Sequence, residues 1–238
     1  MKKIAIILLL TFSVSYAQKS IKTVKDNGNI ISKERSVGAY NQVINKSPFT
    51  LILSEGEVGK IRIETSDNLE PYILTSVQND ALIVEIKSGV NYVTKHKVKI
   101  YAAVNQSLNK ISLIGSGEVY LKNKLTVDTF DCYLNGSGDM QVNLSANNLN
   151  LELMGSGDLN VMGTAHHLKA GLSGSGDIDA EKLKAKIADI QLDGSGDISV
   201  YAQEAVKARM TGSGDISIYG KPKKQDSQVV GSGDINFK

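Results

Sequence analysis

Cysteine is almost absent from this sequence, since Cys132 is the only one among 238 residues. A lone thiol cannot form an internal disulfide, and packing in an apolar column accounts for it. No stretch of the sequence approaches the ~20 apolar residues that a membrane-spanning helix needs. The two absences predict a fold without internal cross-links and without a membrane-spanning segment.

The net charge is also small, because 25 Asp and Glu residues nearly balance 27 Lys and Arg residues. Removal of residues 1–17 takes away Lys2 and Lys3 and brings the net charge to zero. A balanced chain has no electrostatic attraction to nucleic acid or to an anionic membrane surface. We expect neither as a partner.

The first 17 residues have the features of a secretory signal. Lys2 and Lys3 precede an apolar run over residues 4–14, and Ser15-Tyr16-Ala17 places small residues at the positions that a signal peptidase requires. Cleavage is expected after Ala17, and no cysteine follows it as a lipoprotein signal would need. The sequence therefore predicts export to the periplasm, the outer membrane surface or the extracellular space.

A four-residue motif, Gly-Ser-Gly followed by an acid, is repeated along the second half of the chain. It begins at Gly115, Gly136, Gly155, Gly174, Gly194, Gly212 and Gly231. The intervals of 18 to 21 residues are typical of a stacked repeat fold.

Apolar residues alternate with polar ones on both sides of each motif. The positions two, four and six before the first glycine and four and six after it are apolar in 32 of 35 cases. This period of two predicts strands with one buried face, and both glycines share the inward parity. Glycine there removes side chains where the chain bends or where neighbouring coils approach closely. At an outward position, Lys169, Asp189, Lys207 and Asp226 alternate in sign, which predicts in-register stacking.

One such unit cannot bury its own apolar face, so successive units must stack in parallel. We predict an all-β, single-domain, right-handed parallel β-helix with about 19 residues per coil. Residues 18–37 are expected to form a polar leader or an N-terminal cap. Residues 38–238 form the β-helix domain, with irregular first coils at 38–110 that lead into regular repeats at 111–238.

The order of segments resembles one known family. It comprises Phe49-Thr50-Leu51-Ile52-Leu53 before Gly56, then Ile61-Arg62-Ile63-Glu64-Thr65, Asp67-Asn68-Leu69, Asn79-Asp80-Ala81-Leu82 and the serial Gly-Ser-Gly-Asp turns. Over about residues 38–238 the sequence is similar to the family called "putative auto-transporter adhesin, head GIN domain". The resemblance implies a secreted or envelope protein of Bacteroidetes-type bacteria. It also implies a right-handed β-helix shaped like a pectin lyase but without the catalytic residues, and a role in adhesion or surface binding.

The acid of each motif is the first candidate binding feature. The column contains Glu118, Asp139, Asp158, Asp177, Asp197, Asp215 and Asp234. Stacked coils would place these carboxylates ~4.8 Å apart, where like charges repel by ~1 kcal/mol per pair even in water. We expect each carboxylate to accept backbone N–H groups at its own bend, as Asp commonly does in turns. Bound Ca²⁺ is the alternative, although the nine-residue repeat of calcium-binding β-rolls is missing.

Two tyrosines form the second candidate feature. Tyr201 and Tyr219 occupy the same outward position in consecutive coils. Exposed tyrosines can hold sugar rings or a protein partner. Ordinary cross-strand stabilisation is the alternative explanation for the pair.

An enzyme of the pectin-lyase shape is the main alternative function. A lyase needs several different groups converging at one place, whereas these acids are spread evenly along the stack. Arg209 stands apart from any local cluster, His166-His167 falls in a variable segment between strands, and no nucleophile–base pair is evident. We therefore predict a non-enzymatic envelope or secreted protein that binds protein or polysaccharide, without catalytic residues, cofactor or metal.

The last motif is followed only by Ile235-Asn236-Phe237-Lys238. Repeat stacks normally carry caps, and an uncapped coil exposes strand edges that can pair with another chain. An end-to-end homo-oligomer is accordingly expected as one form of the protein.

Overall fold

The computed structural model describes residues 22–238, so the predicted signal peptide lies outside the described residues. This part of the chain consists of strands, with a single turn of 3₁₀ helix at Glu70–Tyr72. The strands are β1 Lys22–Lys25, β2 Ile30–Ser36, β3 Gln42–Asn45, β4 Thr50–Glu55, β5 Lys60–Ser66, β6 Ile73–Gln78, β7 Ala81–Ile86, β8 Val90–Val93, β9 Lys99–Val104, β10 Lys110–Gly115, β11 Glu118–Leu121, β12 Leu125–Gly136, β13 Asp139–Gly155, β14 Asp158–Gly174, β15 Asp177–Gly194, β16 Ile198–Gly212, β17 Ile216–Tyr219, β18 Lys224–Gly231 and β19 Ile235–Phe237. Over residues 22–238, no helix is long and apolar enough to cross a bilayer.

The repeats stack in parallel and in register, as the sequence predicts. Asp139 pairs with Asp158 and Asp158 with Asp177, a step of 19 residues per coil. The alternating charges also fall in one column, because Lys169 pairs with Asp189 and Asp189 with Lys207. The predicted all-β parallel solenoid and its period are therefore confirmed.

The interior of the solenoid is a continuous stack of apolar side chains. In the column two residues before each motif, Leu113, Leu134 and Leu153 are completely buried. Full burial of one leucine side chain contributes about 1.5–3 kcal/mol, so each added coil stabilises the one before it. The column ends at Val229 in β18, which is 42% exposed because no further described strand covers it.

The order of the first coils in space differs from their order in the chain. Strands β3 and β4 pair with β10 and β11 on one side and with β7 and β9 on the other. The irregular first coils predicted at 38–110 thus do not stack along the axis in chain order. The coil at 42–55 directly adjoins the first Gly-Ser-Gly coil, and the later segments β7 and β9 lie beyond it. Local hydrophobic patterns carry no information on which coil a strand joins, so this exchange is invisible in the sequence.

Antiparallel strands close the N-terminal end. Strand β6 pairs with β7, β5 pairs with β9, and β2 adds to the outside of β5. Arg35 in β2 donates hydrogen bonds to the buried carboxylate of Glu70 and to the carbonyl oxygen of Ile73. Strand β1 pairs with β8 in a separate two-stranded sheet. Residues 22–36, for which a leader or a cap was expected, thus consist largely of paired strands.

Candidate functional site

The seven predicted acids lie in a single column along one edge of the solenoid. Backbone pairing aligns Glu118 with Asp139, and Asp139 with Asp158 and Asp177 in turn. Hydrogen bonds between successive acids continue the column through Asp197, Asp215 and Asp234. Each acid follows a bend, and from Gly136 onward both glycines of the motif are needed for close coil contact. A Cβ on Gly157, for example, would lie 2.1 Å from the carbonyl oxygen of Gly138.

The carboxylates of the last coils bond to the next coil and not to their own bend. Asp177 Oδ1 accepts the amide of Asp197 at 2.9 Å, and Asp197 Oδ1 accepts that of Asp215 at 2.8 Å. The expectation of bonding at the acid's own bend is wrong for these residues. The bend amides already have partners, because Ser156 and Gly157 both donate to the carbonyl oxygen of Gly136 in the preceding coil. The carboxylate is left to accept the next amide along the axis.

The electrostatic environment differs along this column. Partial desolvation and the neighbouring charges of Asp139 and Asp177 raise the pKa of the Asp158 carboxyl, although this residue is exposed to solvent. The pKa of Glu118 is lowered, first by the hydrogen bond from Thr50 Oγ1 at 2.7 Å and then by Lys97 Nζ at 3.0 Å. The column therefore begins at a stabilised glutamate and continues through carboxylates that repel one another.

The described residues contain no group of three or more His, Cys, Asp or Glu side chains arranged to hold a metal ion. The predicted acids form a line, which does not converge on one point as the ligands of Ca²⁺ must. His166 and His167 are both exposed and contact each other, with ring centroids 4.4 Å apart. Neither the acids nor this pair forms a centre of converging groups.

The two predicted tyrosines lie together in a cleft on the side of the solenoid, in one register column. Lys184 pairs with Tyr201, and Tyr201 pairs with Tyr219. The amide of Lys238 donates to the carbonyl oxygen of Ile218 at 2.8 Å, which places Lys238 next in line. Two partly exposed aromatic rings are thus bracketed by two lysines.

We call the space around this column the tyrosine cleft. It has a volume of about 600 Å³ and is lined by Glu181, Lys182, Lys184, Tyr201, Tyr219, Gly220, Lys221 and Lys238. A β-bulge forms one wall, because the pairing passes from Ala180–Val200 directly to Lys184–Tyr201. The intervening residues of β15 have no partner in β16, and they bring Glu181 and Lys182 to the rim.

Glycine is required on the opposite side of the cleft. Gly220 has a φ of 96°, a left-handed conformation that side-chain-bearing residues avoid. A Cβ at this position would lie 2.8 Å from Cε1 of Tyr201, so the tyrosine ring lies directly on the Gly220 backbone. Lys238 Nζ lies 5.3 Å from the ring centroid of Tyr219 and 3.4 Å from its hydroxyl oxygen. Tyr201 is therefore held against the Gly220 backbone, and Tyr219 is held by Lys238.

A second depression continues the cleft along the solenoid axis. This amide groove has a volume of about 280 Å³ and is lined by Gln141, Asn160, Val161, Met162, Asp179 and Lys182. Lys182 lines both spaces, so they adjoin at its side chain across successive coils. The sequence pattern revealed the tyrosines but not the four lysines or the groove. The only signal of the bulge was the interval of 20 residues between Gly174 and Gly194, one more than in the two intervals before it.

Comparison with known proteins finds a matching family model and several similar solved structures. The model of the family described as "Putative auto-transporter adhesin, head GIN domain" matches residues 39–222. A solved structure of a "putative adhesin" from Bacteroides fragilis is 26% identical, with a TM-score of 0.86 over 90% of this chain and 100% of that one. A "putative lipid binding protein" from Parabacteroides distasonis is also 26% identical, with a TM-score of 0.75 over 91% of this chain and 100% of that one.

A third structure, a "putative adhesin" from Parabacteroides merdae, is 24% identical, with a TM-score of 0.70 over 91% of this chain and 99% of that one. At this identity the likeness concerns the fold alone. No functionally curated protein matches the sequence.

Proposed function

We propose, for a chain that belongs to the family described as "Putative auto-transporter adhesin, head GIN domain", that the protein works by binding an extracellular partner through the side of its solenoid. Such a protein is adhesion-like and acts at a surface or in the secreted state. Export by cleavage after Ala17 is part of the same proposal.

The observation that carries this proposal is the column of Lys184, Tyr201, Tyr219 and Lys238 in an open cleft. Tyrosine combines a flat apolar ring with a polar hydroxyl, which suits it to contacts that form and break in water. A volume of about 600 Å³ is within the range of ligand sites in proteins. The rings are held by Gly220 and Lys238, so little order has to be gained on binding.

Catalysis and lipid binding are less well supported by the same residues. The cleft offers lysines, tyrosines and Glu181, without a nucleophile held by a base. Lipid binding, the function suggested for the Parabacteroides distasonis protein, would be favoured by an apolar cavity. The interior of this solenoid is filled by side chains such as Phe130, Leu134 and Leu151, which are completely buried.

Capture of cells on beads that carry the full chain tests the proposal. The double variant Tyr201→Ala/Tyr219→Ala should lose most of the capture of bacterial or host cells and keep its melting temperature within a few degrees. Tyr133→Ala is the matched control, because Tyr133 is a partly exposed tyrosine on β12, outside the cleft. Equal capture by the parent and the double variant would refute the role of this face.

A further inference from the structure

We infer that the tyrosine cleft and the amide groove together bind an acidic polysaccharide, laid along the solenoid axis. The inference rests on the function proposed above and names the chemical class of the partner. Three observations support it: the excess of lysines in the cleft, the position of the two spaces across successive coils, and the backbone pairing of the strands beneath them.

The charge of the cleft is strongly one-sided. Lys182, Lys184, Lys221 and Lys238 contribute four ammonium groups, against the carboxylate of Glu181 in the cleft and that of Asp179 in the adjoining groove. Among residues 22–238, none of these four lysines takes part in an ion pair within 4.0 Å. The whole chain carries a net charge of only +2, so this local excess is a property of the site and not of the protein in general. An anionic ligand would find cations that no carboxylate of the protein neutralises within 4.0 Å.

The acids of the motif column do not cancel this attraction. Asp197 and Asp215 each precede a cleft tyrosine by four residues on the same strand path. Four residues of extended strand span ~13 Å, which is more than the Debye length of ~10 Å at 0.1 M ionic strength. The acids therefore repel an anionic chain from the motif column but do not prevent it from binding at the lysines of the cleft.

The shape of the site fits a linear polymer. The cleft and the groove meet at Lys182 and cross coils from Gln141 in β13 to Lys238. Each coil adds ~4.8 Å along the axis, which is close to the length of one sugar residue in an extended glycan. Tyr201 and Tyr219 therefore offer aromatic rings at successive steps, and Gln141 and Asn160 offer amides to hydroxyl groups further along.

The backbone beneath the cleft favours a glycan over a peptide. An extended peptide usually binds by adding a strand to an open sheet edge. Strand β16 already pairs with β15 on one side and with β17 on the other, and β17 also pairs with β19. Strands β16 and β17, which carry the tyrosines, have no free edge for a peptide, so side chains supply the recognition at Tyr201 and Tyr219. Hydroxyl groups and carboxylates spaced along a sugar chain match that requirement.

Binding of four labelled probes to the full chain tests the inference by fluorescence anisotropy. The probes are a hexamer of galacturonic acid, its carboxyl-reduced neutral counterpart, a sulfated galactose hexamer and a hexaglutamate peptide. We expect the neutral hexamer to bind about tenfold more weakly than one or both charged hexamers, since hydrogen bonds to charged groups are roughly twice as strong. The sulfated arm distinguishes sulfate from carboxylate as the anionic group. Hexaglutamate should not compete.

Variants separate this inference from the proposed function. Lys182→Gln/Lys184→Gln should weaken the charged hexamers about tenfold or more and leave the neutral one unchanged. Lys169→Gln, outside both spaces, is the control. If the lysine variant keeps full affinity, or if hexaglutamate competes as well as the uronate, the inference is overturned. Should Tyr201→Ala/Tyr219→Ala still abolish cell capture in that case, the proposed function stands and only the ligand class fails.

Discussion

Asp177 accepts the backbone amide of Asp197, one coil further along the axis, at 2.9 Å from its Oδ1. The same bond recurs from Asp197 to Asp215 and from Asp215 to Asp234. In the earlier coils the equivalent amide donates to a glycine carbonyl, as Asp158 does to Gly138 at 3.2 Å. In the last coils the carboxylate of the motif thus accepts the amide of the next acid, whereas in the earlier coils a glycine carbonyl accepts it.

Substitution of Asp197 separates the acceptor from its charge. Asp197→Ala removes the partner of the Asp215 amide and should lower stability by about 1 kcal/mol, or about 2–4 °C in melting temperature. Asp197→Asn keeps an oxygen acceptor and relieves repulsion, so its melting temperature should equal or exceed that of the parent. Thermal unfolding followed by circular dichroism compares the three proteins. A loss in the Asn variant as large as in the Ala variant would mean that the charge itself is needed.

Glu118, at the start of the column, should be stabilising in a pH-dependent way. The hydrogen bond from Thr50 and the ammonium of Lys97 lower its folded-state pKa. Its contribution is therefore present above the unfolded pKa and is lost as the pH falls through the folded one. Glu118→Gln should cost about 1 kcal/mol at pH 7 and much less near pH 3. Urea unfolding at both pH values measures this, and a cost independent of pH would contradict it.

The contribution of Asp158 to stability should depend on pH in the opposite direction, although this residue stands in the same column as Glu118. Partial desolvation and repulsion from Asp139 and Asp177 raise the folded-state pKa of this exposed carboxyl, an effect that solvent keeps small. A raised pKa means that the folded state prefers the protonated carboxyl, so stability falls as the pH rises through that pKa. Asp158→Asn should raise the melting temperature at pH 7 by about 1–2 °C, and the gain should vanish below about pH 4. Glu118→Gln and Asp158→Asn should therefore change the stability at pH 7 in opposite directions. A change of the same sign in both variants would refute this account.

The sequence predicts the regular coils well because their pattern is local and repeated. The alternating apolar columns and the alternating signs at Lys169, Asp189 and Lys207 are sufficient to fix strand, face and register. The position of the coil at 42–55 could not be predicted, because it depends on pairing between β3 and β10, which are far apart in the chain. The lysines of the cleft were missed for a related reason. Lys184 reaches the tyrosine column only through the bulge that follows Ala180, which shifts it out of its place in the repeat.

The last prediction concerns the second glycine of the motif. Gly157 does not have a positive φ, so space alone forbids a side chain there: an added Cβ would lie 2.1 Å from Gly138 O and 3.0 Å from Leu134 Cδ2. The oxygen belongs to backbone that hydrogen bonds hold in the stack, so the coils would have to separate. Gly157→Ala should cost about 3 kcal/mol or more, lowering the melting temperature by at least about 6 °C.

Gly171 is the matched control for Gly157. It lies in the adjacent strand β14, and an added Cβ would meet no atom within 4 Å. Gly171→Ala should therefore be neutral or raise stability by about 0.5 kcal/mol, because it restricts the unfolded chain without straining the folded one. Calorimetry of the two variants decides whether the motif glycines serve coil contact. If Gly157→Ala were tolerated as well as Gly171→Ala, the repeated second glycine would need an explanation other than the distance between coils.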